Sequence, residues 1–310
     1  MSGSWATIIS AVAAVMAGLF LAACGVLQQR AASKRSSSER MSLRLVRALV
    51  TDRTWLAGIA SAGASYGFQA VALAFGPLVL VQPLVVSELL FAVPVSVRIR
   101  GLRLRPRDWG AVGAVVVGLA VGIVAADPQQ GRPLQPISSW APALASVAVL
   151  VGVCLLVTRF VDGPPMASAF AVAGACTMGL QSALYAATIA LIKKEQLALF
   201  ATWEPYALII ASLIGAFLIQ NAFQSGPLAA STPVIDAILP LVAIGLGVGL
   251  FGEHIRTSLL GLAGATVGLL LVLGGIVGLD TSPVVRREQR LQEQEQEEKA
   301  KTHEEEQEKA

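Results

Sequence analysis

The sequence predicts an all-α polytopic membrane protein of about nine transmembrane helices in two inverted repeats, with the N-terminus out and the C-terminus in. Three observations predict it. First, 55% of the 310 residues are hydrophobic and only 14% are charged, where a soluble domain carries about 25% charged residues; mean hydropathy is +0.68. Second, the charges are segregated into the stretches 28–54, 98–108 and 284–310, so what lies between must face lipid or a bundle core. Third, a short Gly-Pro motif recurs in the second half. The formal charge of +3 combines a basic membrane portion with an acidic, glutamine-rich tail and does not suggest nucleic acid.

Taken in order, apolar runs long enough to cross about 30 Å of hydrocarbon as helix lie at 6–27, 55–75, 78–98, 109–126, 140–158, 168–192, 205–224, 228–251 and 258–279. Trp5, Trp55, Trp109, Trp140 and Trp203 each stand at or just before a helix start, where an amphipathic indole prefers the headgroup level. The organisation expected is a first membrane half of four helices (1–127), an outer linker (128–139), a second half of five helices (140–283) and a charged cytoplasmic tail (284–310). The tail has almost no apolar residue after Leu291 and reads as a solvated helix or a disordered extension. With nine crossings, all of the 23 lysines and arginines except Arg132, Lys193, Lys194 and Arg256 fall on one side. Basic loops stay in the cytoplasm, which sets the orientation.

Leu21-Ala22-Ala23-Cys24 imitates a lipoprotein cleavage site, but residues 1–5 lack the basic n-region of a signal peptide. Cys24, Cys154 and Cys176 all sit inside apolar runs rather than in loops. There is no CxxC pair, HExxH or GxxxxGK[ST] motif, and the two histidines, His254 and His303, are far apart in sequence. The chain is therefore not expected to be an enzyme or to carry a cofactor.

The repeat is Gly76-Pro77-Leu78 followed by Pro83, matched 150 positions on by Gly226-Pro227-Leu228 followed by Pro233. Gly110 and Gly113 open the fourth helix as Gly261 and Gly264 open the ninth, and each helix ends at an aspartate, Asp127 or Asp280. In the expected orientation the first Gly-Pro turn faces out and the second faces in, so the copies are inverted. A tight turn alone accounts for each Gly-Pro pair but not for the shared spacing to the next proline.

The segment from Gln69 through FGPLVLVQPL to Asp127, and its partner QNAFQSGPLAASTPVIDAILPL through FGEHI to Asp280, resemble the two halves of the drug/metabolite transporter superfamily. The four-plus-five layout is similar to that of the NIPA-type magnesium transporters and their bacterial relatives. That resemblance implies nine or ten helices, an inverted repeat, a central cavity open alternately to each side, and magnesium among the substrates. NIPA-type proteins typically show an acidic residue after helix three; here Arg98 to Arg107 is wholly basic, while the second half keeps an acid as Glu253.

Two carboxylates fall inside the membrane: Glu88, five residues after Pro83, and Asp236, three after Pro233, with Pro94 and Pro240 following. A midplane acid costs about 2.5 to 3.5 kcal/mol on insertion scales and normally faces a partner or a wet cavity. One reading sets Glu88 and Asp236 face to face across the repeat interface, binding a proton or cation beside carbonyls freed by the prolines. The other makes each a buried protonated acid bonded to a neighbour such as Ser87 or Thr232. Gln69, Gln181, Tyr185, Gln220 and Asn221 suit a polar solute, and equally suit inter-helix hydrogen bonds worth ~0.6 kcal/mol each; Gln82 and Gln224 read as structural. Glu253 and His254 are adjacent, so they point about 100° apart and make a poor metal pair; a solvated loop is expected there. The run Arg98 to Arg107 reads as a topological anchor and anionic-lipid contact, and Gly118 and Gly122 as a packing seam.

The sequence thus points to a multi-pass transporter of the plasma membrane, a bacterial inner membrane, moving a small solute or cation about a midplane site. Membrane lipids are its neighbours and a homodimer is left open. The alternative is a non-transporting scaffold or lipid-handling partner acting through the basic inner loops and acidic tail.

Overall fold

The computed structural model describes residues 2–33, 52–99, 103–194, 201–226, 228–284 and 287. They form helices α1 (Ser2–Ser33), α2 (Arg53–Phe75), α3 (Leu78–Val85), α4 (Glu88–Ile99), α5 (Pro106–Ala126), α6 (Ile137–Val157), α7 (Pro164–Lys194), α8 (Glu204–Ser225), α9 (Leu228–Gly249) and α10 (Leu259–Asp280). With α3 and α4 forming one crossing, 9 helical stretches among the described residues are long and apolar enough to cross a membrane. The expected tail, apart from Val284 and Arg287, lies outside the described residues, as do positions 34–51 of the first basic cluster.

Local chemistry sets the helix limits. Asp52 caps α2 by accepting the Thr54 and Trp55 amides at 2.7 and 3.3 Å. Asp108, three residues into α5, reaches back to the Arg105 amide at 2.7 Å, and Ser258 caps α10 through the Gly261 amide at 3.2 Å. Such caps satisfy amide groups that have no acceptor within the helix. At the other end of α2, Gly76 and Pro77 stop the helix in extended backbone before α3 begins.

The third helix, expected to run unbroken over 78–98, is interrupted at Val86 and Ser87. Pro83 lies inside α3 and cannot donate a helix bond. Beyond it the amides of Ser87, Leu89 and Leu90 bond three residues back instead of four, to Leu84, Val86 and Ser87. The Val85 carbonyl thereby loses its helical donor. In the second half α9 contains Pro233 and Pro240 yet stays one helix.

Small residues dictate the packing, because in lipid the helices gain from close backbone approach rather than from excluding water. The long α7 sits at the centre, where Gly174 admits Ile219 of α8 and Gly179 admits Val242 of α9, while Met178 rests on Gly215. Between α5 and α10 the backbones nearly touch: a Cβ on Gly268 would lie 2.7 Å from the Gly118 carbonyl, and one on Gly275 2.8 Å from that of Ala111. The expected Gly118 and Gly122 seam is therefore present, with α10 as its partner. Helix α1 packs on α2, α3 and α4; α7 packs on α8 and α9; α3 meets α9, α5 meets α10, and α6 leans on α7.

Candidate functional site

The break in the third crossing places Glu88 at the first position of α4. Opposite it, α1 comes close at Gly18, where a Cβ would stand 2.9 Å from Ser87 Oγ and 3.0 Å from the Glu88 amide. Leu89 and Leu90 turn the other way, onto the cluster of Val115, Leu119, Val272 and Ile276. Glu88 therefore faces the α1 side. Its half-buried carboxylate has no hydrogen bond or ion pair among the described residues, and the buried Ser87 Oγ has no partner either. The site thus gathers a carboxylate, a hydroxyl and the Val85 carbonyl at a helix interruption. These are oxygen donors, suited to a cation or to a donor group on a polar solute.

Asp236 lies half-buried on α9 between Pro233 and Pro240, seven residues before Ala243, which is part of the central apolar cluster. Helix α4, which carries Glu88, packs chiefly on α1, whereas α9, which carries Asp236, packs chiefly on α7, α3 and α10. Tyr185 and Gln181 share a face of α7, and Tyr185 Oη donates to the Tyr66 carbonyl of α2 at 2.8 Å, with the two phenol rings edge to face. Gln69 is half-buried three residues after Tyr66 and Gln181 four before Tyr185, so in the parallel register of α2 and α7 they lie on opposite sides of the tyrosine contact. Gln220 and Asn221 stand apart from this group. Gln220 is exposed on α8, and Asn221 Nδ2 bonds within its own helix to the Phe217 carbonyl at 2.7 Å.

The largest correction concerns Glu253. Instead of standing in a solvated loop it is buried at 4% exposure. Its Oε1 accepts the Leu78 amide at 2.7 Å and its Oε2 accepts the Val79 amide at 2.8 Å, so it caps the first turn of α3 from the opposite half of the chain. The favourable pole of the helix and two strong donors explain why a charge is tolerated here. Burial nonetheless pushes the Glu253 carboxyl above its usual range, the two amides offsetting this only in part. Gly252, at φ 63°, makes the turn that aims Glu253 inward, and Gly247 leaves room for its carboxylate. Among the described residues no three His, Cys, Asp or Glu side chains converge as a metal site.

Around Glu253 one end of the bundle is tied shut. The loop after α5 and the loop after α9 are zipped by Gln129 with His254 and by the Arg132 amide on the Phe251 carbonyl at 2.8 Å. Arg256 pairs with Asp127 at 2.8 Å. Trp140, expected at the headgroup level, is instead at 0% exposure, packed edge to face on Trp203 and Phe251. Lys193 of α7 donates to the Ala74 carbonyl of α2 at 2.9 Å and lies over the Phe75 ring. Among the described residues, α1 packs chiefly on α2, α3 and α4, and α8 chiefly on α7.

Two further features were not singled out by sequence. Gly63-Ala64-Ser65-Tyr66-Gly67 spells G-x-S-x-G, but it runs through the middle of α2, and Ser65 is buried with its hydroxyl donating to the Ala17 carbonyl of α1 at 2.8 Å. A nucleophile elbow requires a strand-to-helix turn, so this serine is a packing residue. The other is an apolar cavity of about 270 Å³ between α3, α5, α9 and α10, lined by Pro83, Val86, Leu119, Pro240, Leu269 and neighbours, and by neither Glu88 nor Asp236.

No protein-family model matches the chain, and no solved structure matches it. Among curated proteins, an uncharacterized protein of Corynebacterium glutamicum is 34% identical over 216 residues, covering 68% of this chain and 73% of that protein.

Proposed function

The chain belongs to the same family as the Corynebacterium glutamicum protein, and we propose that it is a membrane transporter of a small solute or cation working by alternating access. The observation that carries this reading is the third crossing, interrupted in mid-span with the Glu88 carboxylate at the break and no hydrogen bond to it among the described residues. Discontinuous helices with an ionisable group at the interruption are how transporters build a midplane site.

The packing supports two inverted repeats. Pairing α1 with α7, α2 with α8, the α3–α4 crossing with α9, and α5 with α10 maps each helix contact of the first half onto one of the second, and α3 with α9 and α5 with α10 meet across the symmetry. The extra crossing, α6, reverses the second copy. The basic-residue asymmetry supports N-terminus out and C-terminus in, in the plasma membrane; the end tied by Glu253 is then the outer one. Ties between α2 and α7 there, with α1 packing chiefly on α2, α3 and α4 and α8 chiefly on α7 among the described residues, support a pathway shut on the outside and open to the inside. Magnesium uptake and proton-coupled metabolite export both fit an oxygen-lined site of this kind. The apolar cavity favours a second reading, a lipid-handling protein that seats an acyl chain between α3, α5, α9 and α10.

The test is transport into proteoliposomes carrying an internal pH-sensitive dye and offered a panel of divalent cations and metabolites, with Glu88→Gln and Asp236→Asn alongside wild type. We expect wild type to move a solute and Glu88→Gln, folded, to lose at least about a hundredfold of the rate, as expected for removal of a site charge. Transport that survives Glu88→Gln unchanged overturns the site, and a wild type that moves no cation or metabolite but scrambles labelled phospholipid establishes the lipid reading instead.

A further inference from the structure

We propose that Glu253 is the latch of the closed end and α3 the lever that connects it to the Glu88 break, so that emptying or filling the break is felt at the gate. This rests on the transporter reading above and deepens it by assigning the gate. The geometry is direct. The first turn of α3 hangs on the Glu253 carboxylate by two short hydrogen bonds, and the other end of α3 is the interruption at Val86 and Ser87. Between them lie the eight residues of α3, about 12 Å of helix, too short to bend and held in the central cluster through Leu78, Leu80, Val81 and Leu84. A shift of the break must therefore move the latch.

Glu253 comes from the second half and α3 from the first, so the contact ties the two halves together rather than bracing one of them. It is also a contact the fold makes room for. A side chain at Gly247 would collide with the carboxylate, and one at Gly131 would collide with the backbone of Phe251 and Glu253. When the end opens, the Leu78 and Val79 amides lose their acceptors, and water entering the gap is what replaces them.

The position corresponding to Glu253 in the first half, by the same 150-residue offset, is Arg103. A guanidinium has no lone pair to offer a helix amide, so the second Gly-Pro turn cannot be latched in the same manner. Among the described residues this carboxylate cap on a Gly-Pro turn is seen at Gly76-Pro77.

The test reads accessibility and needs no substrate. In a background with Cys24, Cys154 and Cys176 replaced by alanine, Ala183→Cys on α7 reports the central cluster, and Gln130→Cys on the α5–α6 loop reports the same face of the membrane. A membrane-impermeant maleimide is applied from the Glu253 face, and labelling at 183 is normalised to labelling at 130. Wild type is expected to label poorly. Glu253→Ala is expected to label about tenfold faster or more, both hydrogen bonds to the carboxyl being lost, and Glu253→Gln, which keeps one acceptor, to fall between. Should Glu253→Ala fail to elute as a folded species, Gly247→Ala, which crowds the carboxylate off the helix, provides the same reading. Unchanged labelling in folded Glu253→Ala and Gly247→Ala overturns the latch. A latch that responds in a protein that transports nothing sinks the transporter reading and leaves the gate standing.

Discussion

The two Gly-Pro turns share the Gly-Pro-Leu sequence and the spacing to the next proline, and the described residues near them differ. At Gly76-Pro77 a buried carboxylate from the far half caps the next helix, two loops are zipped together, and three aromatic rings interlock. Near Gly226 the neighbours are Gly163 and Ala167, from the same half of the chain, and Ser168 Oγ bonds the Ala230 carbonyl, again within the half. What the difference teaches is that the same short motif can sit in two different settings, and that residues outside the motif decide what packs against it.

The comparison breaks most visibly at Trp140. Replacing this fully buried indole by alanine is expected to cost about 3–5 kcal/mol and to loosen the closed end, read as a fall in thermal unfolding temperature in detergent together with faster labelling of Ala183→Cys. Phe160, at 78% exposure near the opposite end, is expected to change stability by less than about 0.5 kcal/mol when made alanine. Equal losses at the two positions would erase the distinction between the ends. Next in size is the seam that both ends share. Gly268→Val forces a side chain into the Gly118 and Gly122 backbone and should cost about 1–3 kcal/mol, destabilising the fold without favouring either face in labelling.

A smaller effect comes from acid. The Glu253 carboxyl is raised by burial, so the closed end binds a proton more readily than an open, hydrated Glu253 would. Its contribution to closure is full below the ordinary carboxylate value and declines as pH rises through the raised one. Labelling at Ala183→Cys from that face should therefore increase as pH rises through the raised Glu253 value. Glu253→Gln should flatten the profile, while His254, Arg256, Asp127, Arg132 and Lys193, the other titratable groups on the surrounding loops and on α7, remain in both proteins. A profile that keeps its slope in Glu253→Gln assigns the titration to one of those instead. The smallest effect is expected of Asp127→Asn, which breaks an exposed ion pair with Arg256: less than about 1 kcal/mol, vanishing in high salt.

The crossings were legible because length and apolar composition are what a bilayer demands, and a window of about twenty residues reports both. The helix interruption was half legible: Pro83 marked where a donor would be missing, but Pro233 and Pro240 mark the same and α9 continues through them. Proline permits a break, and the approach of α1 at Gly18 is a long-range fact that no local pattern carries. Glu253 was misread for the same reason. An acid beside a histidine and three residues from an arginine looks solvated in one dimension, and its acceptor role exists only because the first turn of α3 arrives from 174 residues away. Trp140 looked like an interface anchor because a tryptophan at a helix start usually is one; here the same position lies under Trp203 and Phe251. Tyr185 and Gln181 were found by their spacing, while their link to Tyr66 was not.

Helix α6 is the least embedded crossing, resting on α7 and exposed along most of its length, yet it governs the handedness of the whole. A chain that crossed the bilayer one time fewer before Pro164 would insert its last four spans in the same sense as the first four. Under the proposed inverted arrangement, Glu253 would then emerge on the opposite side of the bilayer from Pro77. A deletion of α6 that left every other contact residue intact would thus part the Glu253 carboxylate from the Leu78 and Val79 amides. The parity of the spans, rather than the chemistry of the α6 side chains, is what that helix contributes.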